Sequence, residues 1–107
     1  MALTADYHAS LQDRIRQSAA FRREILREAT SAMIDGELEV GKSLLRDYIN
    51  GSIGFTELAA LMQRSPKSLM RMLSPTGNPQ ARNLFAMLQV LQKHEGVRLE
   101  LRTRKAA

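Results

Sequence analysis

The sequence predicts an all-α fold of five to six helices that ends in a short C-terminal β-strand. Apolar residues recur at helical spacing along most of the 107 residues, and single glycines separate these periodic stretches. Only a segment near the C-terminus alternates apolar and charged residues, which is the period of a strand. Aromatic residues make up 5% of the chain and hydrophobic residues 44%. We therefore expect one small core built mainly from Leu, Ile, Met and Ala.

Three helices are predicted in the first half, over about residues 4–17, 18–35 and 37–50. Thr4 and Ser18 are suited to cap the first two helices, and Gly36 follows the second where a left-handed C-cap is common. Residues 1–53 are therefore predicted to be an N-terminal helical extension. The apolar positions expected to be buried are Tyr7, Leu11 and Ile15; Phe21, Ile25, Ala29 and Met33; and Leu38, Gly41, Leu44, Leu45, Tyr48 and Ile49.

Two short amphipathic stretches, 55–62 and 66–73, follow with a three-residue break between them. Ser65 suits the N-cap of the second stretch, and Pro66 suits its first helical position, where a missing N–H costs nothing. Two short helices joined by a tight turn form a helix-turn-helix, whose second helix can enter the major groove of DNA. Residues 54–102 are therefore predicted to be a helix-turn-helix DNA-binding domain.

The C-terminal part is predicted to form one more helix, over about 80–95, and then the strand. Such a short strand is not stable alone, so we expect it to pair with a second copy of the chain or with a partner protein. Residues 103–107 are expected to be a flexible tail. The helix is expected to bury Leu84, Leu88 and Leu91, and the strand to present Val97, Leu99 and Leu101 on one face.

The net charge of +5 is concentrated in the half that contains the helix-turn-helix. Residues 1–54 hold seven Lys and Arg against eight acids, whereas residues 55–107 hold nine against three. Neutralisation of phosphates supplies most of the non-specific affinity for nucleic acid. This charge distribution indicates a polyanion partner such as double-stranded DNA.

Several other classes of function have no support in the sequence. The absence of cysteine excludes a disulfide scaffold, a thiolate zinc site and a cysteine nucleophile. His8 and His94 have no partner at metal-ligand spacing and are expected on the surface, and no catalytic set of Ser, His and Asp is present. We expect no catalytic residues, no metal site and no cofactor. No secretory signal or membrane-length apolar run is present, so we expect a cytoplasmic protein and no membrane partner.

Over about residues 55–101 the chain resembles the Cro/CI-type (XRE-like) helix-turn-helix domains. Their pattern has a Leu-Ala pair in the first helix, a hydrophobic residue three positions after the Ala, a Ser six after it and an aliphatic residue ten after it. The corresponding residues here are Leu58-Ala59, Met62, Ser65 and Leu69. Gln63 departs from the pattern, because many members have glycine at this point of the turn.

A second, more specific resemblance lies in the heptad Leu73-Ser74-Pro75-Thr76-Gly77-Asn78-Pro79. It resembles the addiction-module antidote group, the HigA-like antitoxins, whose recognition helix ends in Leu-Ser-Pro-x-Gly-Asn-Pro. The resemblance implies a regulator that binds operator DNA as a dimer and also neutralises a RelE/HigB-type ribonuclease toxin. The three preceding helices resemble the longer N-terminal variant of such regulators.

The candidate DNA contacts lie on the second helix of the motif and around it. Lys67, Ser68 and Arg71 share the side opposite to the apolar residues, where Arg can bond guanine and Lys or Ser can reach base or phosphate. The segment 76–78 offers a phosphate cradle, or it is a connector in which Asn78 or Gln80 caps the last helix. The candidate DNA-binding residues are Arg64, Ser65, Lys67, Ser68, Arg71, Thr76, Asn78 and Arg82.

The predicted function is sequence-specific transcriptional regulation of the antitoxin type. Because one helix-turn-helix covers one half-site, we expect a homodimer on operator DNA. The alternative is a protein-interaction module that mainly sequesters a RelE/HigB-type toxin, with DNA binding secondary or lost. Lys67 and Arg71 favour the first hypothesis, and a neighbouring reading frame for a small basic ribonuclease would favour the antidote role.

Overall fold

A computed structural model describes residues 2–107, with side chains from Thr4 onward, so residue 1 of the predicted extension lies outside the described range. The all-α class is confirmed for these residues, and the predicted helix bounds agree with the observed ones to within two residues. The six helices are α1 (Ala2–Gln17), α2 (Ala19–Ile34), α3 (Leu38–Gly51), α4 (Phe55–Met62), α5 (Pro66–Met72) and α6 (Ala81–Glu95).

The ends of the first two helices follow the predicted capping signals except at the start of α1. Ser18 has extended backbone angles, and its hydroxyl accepts a hydrogen bond from the Phe21 N–H at 3.1 Å, as an N-cap should. Gly36, directly after the α2 C-cap, has φ +87° in the left-handed region. The prediction that Thr4 caps α1 was wrong, because α1 already begins at Ala2, and alanine is the strongest helix former.

Helix α3 is the central element and packs against both α1 and α2. Two glycines allow the close approach: a Cβ on Gly41 would lie 2.4 Å from Met33 Cγ, and one on Gly51 would lie 2.8 Å from the Gln12 carbonyl oxygen. A side chain at either position would therefore separate the helices. The buried hydrophobic residues of this three-helix part are Leu11, Ile15, Ile25, Leu26, Ala29, Leu45, Tyr48 and Ile49.

In the first turns of α1, the side of the helix that faces the core differs from the predicted one. Tyr7 was expected in the core but is 62% exposed. His8, expected on the surface, is instead half-buried, and its Nδ1 lies 2.7 Å from a carboxylate oxygen of the buried Asp47 on α3. The polar pair between His8 and Asp47 therefore connects α1 to α3 where the apolar periodicity had placed Tyr7.

Helices α4, α5 and α6 contribute to the same core. Helix α4 packs against α5 and α6. Phe55, Leu58 and Ala59 are buried on α4. The other buried apolar residues of this half are Ile53, Leu69, Leu73, Met87, Leu88 and Leu91.

A buried carboxylate connects α2, α3 and α6. The Glu95 side chain is almost fully buried, and its Oε1 accepts hydrogen bonds from Arg22 Nε at 2.8 Å and from the Tyr48 hydroxyl at 2.6 Å. Burial, followed by the hydrogen bond to Glu95 and the charge of that carboxylate, raises the pKa of Tyr48 well above its ordinary value. The sequence analysis did not identify this network.

The predicted C-terminal strand was wrong, since residues 97–107 form no strand in the described chain. Gly96 ends α6 in the left-handed region, and the chain turns back along α6: the Leu99 N–H donates to Gln92 Oε1 at 2.8 Å. Val97 and Leu99 pack partly buried against the core, whereas Leu101 is 82% exposed. The alternating pattern thus serves an extended segment that packs on its own helix rather than on a second strand.

Candidate nucleic-acid interface

The turn between α4 and α5 has the compact backbone that its short length requires. Gln63 lies in the left-handed region with φ +56° and ψ +46°, a conformation that glycine adopts more readily. Its N–H donates to the Ala60 carbonyl at 3.2 Å, and the Arg64 N–H donates to the Ala59 carbonyl at 2.9 Å. These bonds close the end of α4 although no glycine is present in the turn.

Helix α5 has one buried side and one exposed side. The Ser65 hydroxyl accepts a hydrogen bond from the Ser68 N–H at 3.1 Å, and Pro66 occupies the first turn, so both predicted start signals are confirmed. Leu69 and Leu73, four residues apart, are fully buried. The predicted helical phase is therefore correct.

The exposed side of α5 carries two free cations. Lys67 and Arg71 are both exposed, with the half-buried Ser68 between them. Neither cation has an ion pair or a side-chain hydrogen bond with the described part of the chain. Because they lie at i and i+4, they are neighbours on one helix face. Their charges are available to an external anion.

Two further arginines flank α5. Arg64 in the turn is exposed, and its Nη2 donates to Asn83 Oδ1 at 2.7 Å in the first turn of α6. Arg82, which directly precedes Asn83 in the chain, is exposed and has no ion-pair partner among residues 4–107. The structure thus brings the predicted contacts at the turn and at the start of α6 close to one another.

The segment after α5 matches the proposed phosphate cradle only in part. Thr76 and Asn78 are exposed. The Gly77 N–H, however, already donates to the Ser74 carbonyl at 2.9 Å, so it is not available to a phosphate. Gln80 is the N-cap residue of α6, but its side chain makes no capping hydrogen bond, so that part of the connector hypothesis was wrong. Glutamine has a longer side chain than the usual capping residues.

Two cations of α3 that were not predicted as site residues hold this segment. Lys42 on α3 is fully buried, and its Nζ donates to the Ser74 carbonyl at 2.9 Å and the Gly77 carbonyl at 2.7 Å. Arg46, one turn later on α3, donates to the Leu73 carbonyl. A signal was present, because Lys42 lies four residues after Leu38 and three before Leu45. A lysine at a core-facing position of a helix either buries its ammonium group or extends its side chain to reach solvent.

Other features of the described chain give no sign of a metal or membrane site. An open cavity of about 300 Å³ lies between α1, α2, α3 and α6. The Glu95 carboxylate in its wall accepts hydrogen bonds from Arg22 and Tyr48, so it is not free to bind a metal ion. Residues 2–107 contain no group of three His, Cys, Asp or Glu placed to hold a metal ion. None of the six described helices has both the length and the apolar character to cross a membrane.

No known protein family matches the chain, and neither does any curated protein or solved structure compared with it. What the protein does must therefore be inferred from the side chains of α5, from the elements that hold α5, and from the charge of this half of the molecule.

Proposed function

We propose that the protein is a sequence-specific DNA-binding transcriptional regulator of the antitoxin type, a HigA-like addiction-module antidote with a Cro/CI-type helix-turn-helix formed by α4 and α5. The observation that carries the proposal is the division of α5 into two sides. Leu69 and Leu73 are buried beneath it, while Lys67 and Arg71 project outward without partners in the described chain. Arg bonds guanine bidentately in the major groove, and Lys can bond base or phosphate.

The surroundings of α5 support the same partner. Arg64 is exposed in the turn before α5, Thr76 and Asn78 are exposed in the segment after it, and Arg82 is exposed in the first turn of α6. Residues 55–107 carry nine basic residues against three acids, and one of those acids, Glu95, is neutralised in the interior by Arg22. The exposed charge of this half is therefore almost entirely positive, as phosphate contacts require.

We further propose that the protein acts as a homodimer in the cytoplasm. A recognition helix of two turns covers one half-site, and a twofold dimer presents two such helices about 34–36 Å apart, one turn of DNA. Because the strand that was expected to join the two copies is absent from the described chain, we propose that dimerisation uses another surface. Leu61 on α4 and Phe85 on α6 are large, exposed apolar side chains in this half and are suitable candidates.

A second function, capture of a RelE/HigB-type toxin, is favoured by the same apolar exposure. Met70 on α5 is 48% exposed and lies next to the two cations, three residues after Lys67 and directly before Arg71. A protein partner that covered Met70 would compete with DNA for α5. In this alternative, sequestration is the main task and DNA binding is secondary.

The test uses the full chain and the DNA upstream of its own reading frame. Footprinting and fluorescence anisotropy are expected to show a protected site with two half-sites, and sedimentation is expected to show a dimer on it. Co-expression with a small basic ribonuclease encoded next to the gene tests the alternative. A stable complex with that ribonuclease, together with no preference for upstream DNA over random duplex, would replace the regulator by the sequestration module.

A further inference from the structure

The buried ammonium group of Lys42 donates hydrogen bonds to two main-chain carbonyls and forms an ion pair with one carboxylate. Its Nζ bonds to the Ser74 and Gly77 carbonyl oxygens and lies 2.9 Å from Glu39 Oε2. Two of the three ammonium N–H groups therefore donate to main-chain carbonyls, and the Glu39 carboxylate neutralises the charge. A fully buried lysine is rare, because removing the charge from water is costly unless it is neutralised and hydrogen-bonded. The buried ammonium therefore ties the Ser74 and Gly77 carbonyls to α3.

Two of these partners lie just after α5. The Ser74 and Gly77 carbonyls belong to the turn that ends the helix, and Arg46 bonds to the carbonyl of Leu73 immediately before them. Cations near the carbonyls at a helix C-terminus also interact favourably with the helix dipole. The turn is packed tightly as well, since a Cβ on Gly77 would lie 2.1 Å from the Arg71 carbonyl oxygen.

Helix α5 is so short that its orientation in the fold depends on its contacts with the rest of the chain. It has seven residues, and isolated helices shorter than about 12 residues are only marginally stable in water. Its N-terminus is capped by Ser65, and its buried side contributes Leu69. Its C-terminal end is held by the buried Leu73 side chain and by the bonds from Lys42 and Arg46. A small rotation at this end would move the Arg71 side chain, which lies in the last turn.

We propose that Lys42 is a positioning residue for DNA recognition, which holds the C-terminal end of α5 against α3 and so sets the direction in which Lys67 and Arg71 project. The inference rests on the proposed function, since it assigns Lys42 a role in the same DNA complex. Lys42 itself is buried and contacts no DNA. Its exposed partner Glu39 contributes by neutralising the ammonium.

The main test compares Lys42→Met with Lys93→Met in the full chain. Both substitutions remove one positive charge, but Lys93 is an exposed residue at the far end of α6. Lys42→Met is expected to weaken binding to the upstream site about tenfold, the loss typical of one misplaced base contact. Its affinity for random duplex and its salt slope should stay the same, because no phosphate contact is lost. Lys93→Met is expected to bind the upstream site nearly as tightly as the parent.

A milder pair of variants covers the case in which Lys42→Met does not fold. Glu39→Gln and Glu37→Gln each remove one negative charge from an exposed residue near the start of α3, but only Glu39 contacts Lys42. Glu39→Gln is expected to bind the upstream site about two- to threefold more weakly than Glu37→Gln. It should also show faster amide exchange at Gly77, whose N–H bonds to the Ser74 carbonyl.

The outcomes separate this inference from the proposed function. If Lys67→Ala/Arg71→Ala abolishes the preference for the upstream site while Lys42→Met or Glu39→Gln binds like its control, the positioning role is overturned and the proposed function stands. A Lys42→Met protein that loses affinity for upstream and random DNA equally also overturns it, since only general folding or charge is then involved. If the Lys67→Ala/Arg71→Ala protein keeps the parent's preference, the proposed function fails first.

Discussion

Truncation of Leu69 tests whether the two sides of α5 are assigned correctly. Leu69 is fully buried where α5 meets the rest of the core, and Met70, the next residue, is about half exposed. Leu69→Ala removes buried methyl groups and leaves a cavity, which typically costs about 2–5 kcal/mol. For a domain of this size, a loss of about 3 kcal/mol lowers the Tm by roughly 10–20 °C. Met70→Ala is the matched control, and its expected cost is below about 1 kcal/mol.

The assay is thermal and urea unfolding followed by far-ultraviolet circular dichroism. The two variants carry the same kind of truncation at adjacent positions, so the difference between them reports burial rather than helix propensity. Leu69→Ala is expected to unfold at a clearly lower temperature and urea concentration than Met70→Ala. Equal midpoints for the two proteins, or a larger effect of Met70→Ala, would show that α5 is rotated from the orientation described and that Lys67 and Arg71 do not face outward.

Three further predictions concern the contacts that hold the fold. Gly77→Ala is expected to destabilise the protein, because the new Cβ would lie 2.1 Å from a carbonyl oxygen of α5; an unchanged urea midpoint would show that the turn has room. Arg22→Ala should cost about 3–5 kcal/mol because it leaves the buried Glu95 carboxylate without its closest cation, and a cost below about 1 kcal/mol in urea unfolding would contradict this. Since burial raises the pKa of Tyr48, its contribution to stability is present below the pKa of an unfolded tyrosine, about 10, and is lost as the pH rises above it. Urea midpoints should therefore fall more steeply above about pH 10 in the parent than in Tyr48→Phe, and parallel curves would be the contrary result.

The helices could be predicted well because the residues that begin and end a helix lie within or next to it in the sequence. The caps at Ser18 and Ser65 and the glycine at 36 lie where the structure uses them. The buried side of α5 also followed from spacing alone. The C-terminal strand failed for the opposite reason. Period-two alternation specifies an extended segment with one apolar face, but whether that face meets a second strand or its own helix depends on the whole fold.

The polar contacts of the interior were not predictable from spacing, because their partners are far apart in the chain. Lys42 bonds carbonyls 32 and 35 residues away, and Arg22 bonds Glu95 at a separation of 73 residues. Only the position of Lys42 on the apolar face of α3 indicated that this side chain would be buried. Around α5 the predicted contacts are exposed except for the half-buried Ser68, while the cations that hold the end of α5 were found only in the folded chain.

The most direct measurement compares DNA binding by Lys67→Ala/Arg71→Ala and by Arg27→Ala/Lys93→Ala. Each protein loses one Lys and one Arg, but Arg27 lies on α2, paired with Glu24, and Lys93 lies at the end of α6. In footprinting and anisotropy with the upstream DNA, the α5 variant is expected to lose about 1–3 kcal/mol for each base contact removed. The control should retain the parent's preference for that DNA over random duplex. If both variants protect the upstream site as the parent does, α5 is not the helix that recognises DNA.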